Sequence, residues 1–73
     1  MKTVYEMIPK FNPKTKTYTF VIQCPYCGIY NHETEPIVYL ICKACGKISR
    51  LHDSVIVTMN QLKDQELQLK LQK

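Results

Sequence analysis

Apolar and polar residues alternate most clearly in the N-terminal third of the chain. The segment Thr17–Gln23, T-Y-T-F-V-I-Q, has the two-residue period of a β-strand. Residues 3–8 are also rich in β-forming side chains, and residues 9–16 between them contain the turn signal Asn12-Pro13. The pattern therefore predicts an antiparallel hairpin at the N-terminus. Its expected core face carries Tyr18, Phe20 and Ile22.

Three further short strands are predicted in the middle of the chain. They are residues 29–33, 37–41 and 47–51. A turn at residues 34–36, T-E-P, separates the first two. Each of these strands leads into or out of a pair of cysteines, so the order of elements is strand, cysteine pair and strand, twice over.

The C-terminal part supports two interpretations. Residues 53–59 contain the run V-I-V-T-M, which favours another strand, and Asn60 is a suitable N-cap for a helix over the tail, residues 60–73. Gln, Leu, Lys and Glu are good helix formers, so a helix is the expectation for that tail. The run L-Q-L-K-L also alternates as a strand would, so a β-hairpin against residues 54–59 is the alternative. The expected organisation is a domain over residues 1–59 followed by this tail.

Length and composition limit the class of protein. A chain of 73 residues forms one small domain that buries only about 60% of its unfolded surface, so a staple is expected. Hydrophobic residues make up 45% and charged residues 22% of the chain, which argues against disorder. No apolar run reaches the roughly 18 residues of a membrane span, and the N-terminus lacks a signal-peptide pattern. We therefore expect a cytoplasmic protein without membrane contact.

The expected staple is a metal ion held by four cysteines, which are Cys24, Cys27, Cys42 and Cys45. Their spacing, C-x2-C-x14-C-x2-C, is close to that of zinc sites, because each tight turn aims two sulfurs at one point. Gly28 and Gly46 each follow the second cysteine of a pair, where a positive φ lets the chain wrap around the sulfur. The repeated C-x-x-C-G string is the most specific signal in the sequence.

Other uses of these cysteines remain open at this stage. Two disulfides are one, although the chain shows no secretion signal. The string C-P-Y-C is similar to the active site of glutaredoxins, but Gly28 is a poor opener for the helix that this chemistry needs. A rubredoxin-like iron site uses the same C-x-x-C-G turns with a longer gap between the pairs. His32, five residues after Cys27, is an alternative ligand.

Catalysis is not expected. Four thiolates fill a tetrahedral site, whereas catalytic zinc keeps a position open for water or substrate. The sequence also shows no paired carboxylates, no nucleophile–base arrangement and no glycine-rich phosphate loop. The metal is therefore expected to be structural, and its binding energy is folding energy.

Positive charge is concentrated in two clusters, which are Lys10, Lys14 and Lys16 near the N-terminal turn, and Lys43, Lys47 and Arg50 around the second cysteine pair. The formal net charge is +4, and a bound divalent ion with four thiolates would lower it to about +2. Together with Tyr26 at the first cysteine pair, these side chains are candidate nucleic-acid or partner contacts. Lysines that only keep the protein soluble are the alternative. Tyr18, Phe20 and Tyr39 are expected in the core.

Residues 24–48 resemble the zinc-ribbon superfamily. The strings C-P-Y-C-G and I-V-Y-L-I-C-K-A-C-G-K-I are similar to the N-terminal ribbon of transcription factor IIB relatives and to ribosomal zinc-ribbon proteins of archaea and eukaryotes. The resemblance implies the zinc-ribbon fold, a small β-rich domain stapled by one zinc ion on the four cysteines. The N-terminal hairpin and the C-terminal helix are expected from the residue pattern. It specifies function poorly, because ribbons serve polymerases, ribosomes and adaptors alike.

Two functions follow as expectations. The first is a small accessory nucleic-acid-binding module of transcription or translation, acting with nucleic acid or a larger nucleoprotein machine. The second is a protein-interaction adaptor or regulator, which would dock on RNA polymerase or another large complex or form a homodimer, and which fits a virus-encoded protein. The modest charge and the leucine-bearing tail favour the second, and the lysine clusters favour the first.

Overall fold

A computed structural model describes residues 1–71 of the chain. The elements, in chain order, are β1 (Thr3–Val4), β2 (Ile8–Asn12), β3 (Thr17–Gln23), β4 (Tyr30–Glu33), β5 (Tyr39–Ile41), β6 (Ile48–Leu51) and α1 (Asp53–Leu71). The protein is therefore a small β-rich domain with one C-terminal helix. Among residues 1–71, no helix has both the length and the apolar character needed to cross a bilayer.

The six strands form two three-stranded sheets. The first sheet has the order β2-β3-β4 and is antiparallel throughout, with Ile8 opposite Val21 and Phe20 opposite Glu33. The second sheet has the order β1-β6-β5, in which β5 is antiparallel and β1 parallel to β6. The predicted strand–cysteine pair–strand order is confirmed, because one pair joins β3 to β4 and the other joins β5 to β6.

A small core lies between the two sheets and the helix. Its buried apolar side chains are Val4, Phe20, Ile22, Leu40, Leu51, Val55 and Met59. The predicted core face of β3 is confirmed for Phe20 and Ile22, while Tyr18 is half-buried beside them. The prediction for Tyr39 was wrong, because its side chain is 50% exposed on the outer face of the second sheet. Seven such residues make a modest core, so a metal staple is physically reasonable.

The first hairpin is formed by residues other than those predicted. In the expected segment 3–8, Thr3–Val4 forms β1, which pairs with β6 rather than with β3, and of the remaining residues only Ile8 is in a strand, as the start of β2. The partner of β3 is β2, which includes residues that were predicted as turn. Proline is tolerated in β2 because this is an edge strand, where one side of the backbone needs no hydrogen-bond donors.

The helix begins at Asp53, so the predicted strand over residues 53–59 and the predicted N-cap at Asn60 were both wrong. The N-cap is His52, whose Nδ1 accepts a hydrogen bond from the backbone N–H of Ser54 at 3.2 Å. The helix passes through residue 60 without a break, so the helical tail is confirmed as far as Leu71 and the β-hairpin alternative is wrong. Residues 72 and 73 of the predicted tail lie outside the described part of the chain.

Tertiary packing explains why residues 53–59 form a helix and not a strand. The run V-I-V-T-M has β-forming side chains, but Val55 and Met59 are four residues apart and both face the core. Ile56 and Leu62 pack against the same cluster. Positions 55, 56, 59 and 62 therefore form one apolar helix face, and its burial outweighs the weak strand propensity of single residues.

Candidate metal centre

Each cysteine pair lies in a tight turn at the tip of a hairpin. In the first knuckle (residues 24–28), the N–H of Cys24 donates to the carbonyl of Ile29 at 2.8 Å, and the N–H of Gly28 donates to the carbonyl of Cys24 at 3.0 Å. These bonds close the turn and hold the two cysteines close together. The φ of Gly28 is +81°, in the region that disfavours a side chain, as the sequence predicted.

The second knuckle (residues 42–46) repeats this geometry. The N–H of Cys42 donates to the carbonyl of Lys47 at 3.1 Å, and the N–H of Gly46 donates to the carbonyl of Cys42 at 2.9 Å. The φ of Gly46 is +75°. The repeated C-x-x-C-G string therefore corresponds to a repeated backbone conformation, one copy in each sheet.

The two knuckles bring all four sulfurs together. Every Sγ lies within 4.8 Å of the other three. The Sγ atoms of Cys24 and Cys45 are 3.7 Å apart, and those of Cys27 and Cys42 are 3.5 Å apart. Four sulfurs around an ion at about 2.3 Å would be separated by about 3.8 Å, whereas a disulfide needs about 2.05 Å. The four cysteines are free and can coordinate one metal ion, so the disulfide alternative is wrong.

The two cysteines of each pair differ in exposure. Cys24 and Cys42, the first of each pair, are buried, while Cys27 and Cys45 are exposed. In each knuckle, the inner sulfur therefore faces the core and the outer sulfur faces solvent.

Local hydrogen bonds also give the thiols different acidities. Backbone N–H groups of Cys45 and Ala44 lower the pKa of Cys42 to about 6 against the opposing effect of burial. For Cys24, burial raises the pKa, but N–H groups of Cys27 and Tyr26 outweigh it and the net shift is downwards. The two buried sulfurs therefore favour the thiolate form, which a metal ion requires.

The pKa of Cys27 shifts in the opposite direction. A backbone hydrogen bond from Ile29 lowers its pKa, but burial and the three neighbouring sulfurs together raise it to about 12. Four sulfurs in such close contact cannot all carry a negative charge without a cation among them. The cluster is therefore chemically suited to a cation, and ion binding would release protons.

Asn31 is a component of the centre that the sequence analysis missed. This buried residue lies in β4, just beyond the first knuckle. Its Nδ2 donates to Sγ of Cys42 at 3.6 Å, and its Oδ1 accepts from the N–H of Lys43 at 3.1 Å. The signal in the sequence was an asparagine within a predicted strand. Asparagine is disfavoured in strands, so an asparagine found there often makes a specific contact.

His32 does not belong to the cluster. It is the next residue in β4 and is exposed, and strand alternation directs its side chain to the face opposite that of Asn31. Among the described residues, the group that can hold a metal consists of the four cysteines. The alternative of a histidine ligand was therefore wrong.

Tyr26 and Lys47, two of the predicted contact residues, meet at the knuckles. The Nζ of Lys47 lies 5.0 Å from the centre of the Tyr26 ring. Lys2, which the sequence analysis did not select, places its Nζ 5.2 Å from the same ring and donates its backbone N–H to the tyrosine hydroxyl at 2.8 Å. Lys43 is exposed in the second knuckle. We call Lys2, Tyr26, Lys43 and Lys47 the knuckle surface.

The other predicted contact residues are engaged by neighbouring side chains or lie far from the cysteines. Arg50 forms a 3.3 Å ion pair with Asp53 and lies 6.0 Å from the centre of the Tyr39 ring. The remaining lysines are at the other end of β3 from the cysteines, about 20 Å away for a strand of this length. They are Lys10 in β2 and Lys14 and Lys16 in the turn that joins β2 to β3. The structure thus separates the two basic clusters.

Comparison of the chain with protein-family models, with curated proteins and with solved structures finds no match in any of the three. The class of protein is therefore defined by the fold and the site alone. It is a small β-rich domain in which two hairpin tips bring four cysteines into position to hold one metal ion.

Proposed function

We propose that this chain is a structural zinc-binding ribbon that serves as a small accessory nucleic-acid-binding module of the transcription or translation machinery. The observation that carries the zinc assignment is the compact group of four sulfurs on two knuckles. Four thiolates suit zinc and leave no position for a substrate, so the ion would hold the two sheets together and perform no catalysis. Its binding would supply on the order of 10–16 kcal/mol to a fold with a small core.

Elemental analysis of the purified protein tests the metal assignment. We expect zinc in equimolar amount with the chain. Iron in its place would refute zinc but keep the metal-stapled fold. A well-ordered protein without any bound ion would refute both.

The knuckle surface supports the nucleic-acid part of the proposal. Lys2 and Lys47 lie over the ring of Tyr26, and Lys43 is exposed in the second knuckle, so this surface combines positive charge with an aromatic ring. Phosphate attracts such lysines and aromatic rings stack on bases, so single strands are the best match. The net charge of +4, about +2 with the ion bound, predicts moderate affinity that falls quickly with salt.

A binding titration with a pair of charge-matched variants tests this surface. The variant Lys43→Gln/Lys47→Gln removes two charges from the knuckle surface, and Lys14→Gln/Lys16→Gln removes two from the distant turn. Titrations of labelled single- and double-stranded DNA and RNA are run at two salt concentrations. We expect the first variant to lose about tenfold or more in affinity and the second to lose clearly less. Equal losses would refute the knuckle surface, and no binding by the wild type at low salt would refute the nucleic-acid function.

The second candidate function is a protein-interaction adaptor, and an exposed apolar face favours it. Tyr39, Ile41 and Ile48 lie on the outer face of the second sheet, and their side chains are 50%, 61% and 46% exposed. Ile41 and Ile48 are paired across the two strands, so the three side chains form a continuous patch. On the helix, Val57 and Leu67 are exposed as well.

Retention on immobilised, nuclease-treated RNA polymerase or ribosomal subunits tests the adaptor. The variant Ile41→Thr/Ile48→Thr should lose retention, while Val57→Thr/Leu67→Thr tests the helix separately. Sedimentation equilibrium of the wild type shows whether the same patch forms a homodimer. Retention by both variants at wild-type strength, together with a monomer in solution, would refute this candidate.

A further inference from the structure

The Asn31 side chain makes hydrogen bonds to the second knuckle and to Ile29, the residue that follows the first knuckle. Only 3% of the residue is exposed. Besides its bonds to Cys42 and Lys43, its Nδ2 contacts the carbonyl oxygen of Ile29 at 3.4 Å, at the exit of the first knuckle. Both the nitrogen and the oxygen of one buried amide are therefore used, and the partners lie beside the first knuckle and in the second.

Only one orientation of this amide satisfies its surroundings. Rotating the group by 180° would place its oxygen against the Cys42 sulfur and the Ile29 carbonyl, which are both acceptors, and its NH₂ against the N–H of Lys43. Such contacts are repulsive, so the chemistry of the neighbours fixes the donor towards sulfur. An aspartate would fail for the same reason, because it has no donor when ionised.

We propose that Asn31 is a positioning residue of the metal centre, which joins the second knuckle to the first and orients the Cys42 sulfur towards the ion. The inference rests on the proposed metal-binding function and adds a determinant of metal affinity outside the four ligands. A ligand must swing away before an ion leaves its site, and the amide opposes that movement at Cys42. Hydrogen-bonded groups of this kind typically change metal affinity by about 10–100-fold when they are removed.

The test uses two substitutions with a matched control. Asn31→Ala removes all three hydrogen bonds without adding charge, and Asn31→Asp keeps the acceptor for Lys43 but loses the donor to Cys42. Asn12 offers the control, because its Oδ1 accepts from the N–H of Lys14 at 3.0 Å in the same manner but far from the cysteines. Asn12→Ala and Asn12→Asp therefore reproduce the chemical changes at the other end of β3.

Zinc affinity is measured on the full chain by competition with a chromophoric chelator, and cobalt is used as a spectroscopic probe. We expect Asn31→Ala to weaken zinc binding by about tenfold or more, Asn31→Asp to weaken it further, and both controls to stay within about twofold of wild type. The sulfur-to-cobalt charge-transfer band should shift in the Asn31 variants only. A purely structural role would lower the melting temperature without shifting this band.

The zinc affinity and the cobalt band together decide whether Asn31 positions the Cys42 sulfur. Zinc affinity of Asn31→Ala within twofold of wild type, with an unchanged cobalt band, would overturn it. If Asn31→Asp does not fold in excess zinc, Asn31→Ala and the milder Asn31→Ser decide by the same two readouts. Failure of the wild type to bind metal would instead refute the proposed function, so the two failures are distinguishable.

Discussion

The carboxylate of Glu66 accepts a hydrogen bond from the backbone N–H of Tyr18 at 3.1 Å, across 48 positions of the chain. Strand β4 ends at Glu33, opposite Phe20, so β3 continues beyond its neighbour. The helix side chain takes the place of the missing strand at Tyr18. Glu66 is buried and also contacts Lys63 and Lys70 on the helix, at 3.3 and 3.0 Å. This network attaches the second half of α1 to the first sheet.

Glu66→Ala should destabilise the metal-loaded protein. The change leaves the N–H of Tyr18 without its acceptor and Lys63 without its buried partner, so we expect a loss of about 1–3 kcal/mol in the free energy of unfolding. Glu35→Ala is the control, because Glu35 also pairs with Lys63, at 3.2 Å, but is exposed. Its loss should stay below about 1 kcal/mol. Urea denaturation followed by circular dichroism measures both, and equal losses would contradict a special role for Glu66.

The same carboxylate predicts a dependence of stability on pH. Burial raises the pKa of Glu66, but hydrogen bonds from Lys70, Tyr18 and Lys63 outweigh it, and the net pKa is lower than usual. The carboxylate therefore stabilises the fold above the pKa of an unfolded glutamate, about 4.3, and this stabilisation is lost as pH falls through the lower folded value. Glu66→Gln should show a smaller loss of stability on acidification.

Both proteins are kept in excess zinc, because loss of the metal would unfold them, and the difference between their unfolding free energies isolates the carboxylate. The difference should shrink as pH falls below about 4.3. A constant difference down to acid pH would show that the ionised form of Glu66 contributes nothing.

Removal of the metal should unfold the domain. The core is small, and metal binding is expected to supply most of the folding free energy. A strong chelator, or Cys42→Ser, should therefore abolish the cooperative melt of α1 and of the sheets. Replacement of exposed Ser54 by alanine serves as a control that leaves all ligands intact. A melting curve unchanged by chelator would contradict this prediction.

The two cysteines of each knuckle should react in a fixed order. Cys42 favours the thiolate by its acidity, but in the metal-loaded protein all four sulfurs are thiolates and access decides. Limiting N-ethylmaleimide should label exposed Cys27 or Cys45 before buried Cys24 or Cys42. Peptide mass spectrometry of the singly labelled protein identifies the site. First labelling at a buried cysteine would show that the knuckles open before they react.

A side chain at Gly46 should cost stability through the backbone alone. The φ of Gly46 is +75°, and an added Cβ would meet nothing within 4 Å. Gly46→Ala should therefore destabilise by about 1–2 kcal/mol. Gly46→Asn should cost less because asparagine tolerates this conformation better. Thermal melts of the zinc-loaded variants measure both, and equal costs would point to a different cause.

Local patterns predicted the cysteine site and the strand Thr17–Gln23, because both depend on residues close together in the chain. The start of α1 was missed for a physical reason. Val55 and Met59 show helical spacing only when the tail is read as one segment with them, and Glu66 in the same series is charged and so adds no apolar signal. Its burial depends on partners in another element, which no local pattern reveals.

Local sequence patterns also predicted only part of the candidate metal centre. The ligands follow from their spacing, whereas Asn31 and Lys2 reach the knuckles only through the arrangement of the two sheets. Lys2 reaches the knuckles because β1 pairs with β6, the last strand in chain order. A parallel partner so distant in the chain gives no periodic signal of its own.

The parallel pairing of β1 with β6 has a consequence for folding. Thr3 lies opposite Arg50 and Val4 opposite Leu51, so β1 can dock only after β6, which follows it far along the chain, is in place. Until then both hairpins can close locally, because each joins strands that are neighbours in the chain, while β1 remains unpaired. A bulky group attached next to β1 should therefore slow the docking of β1 without hindering the closure of either hairpin.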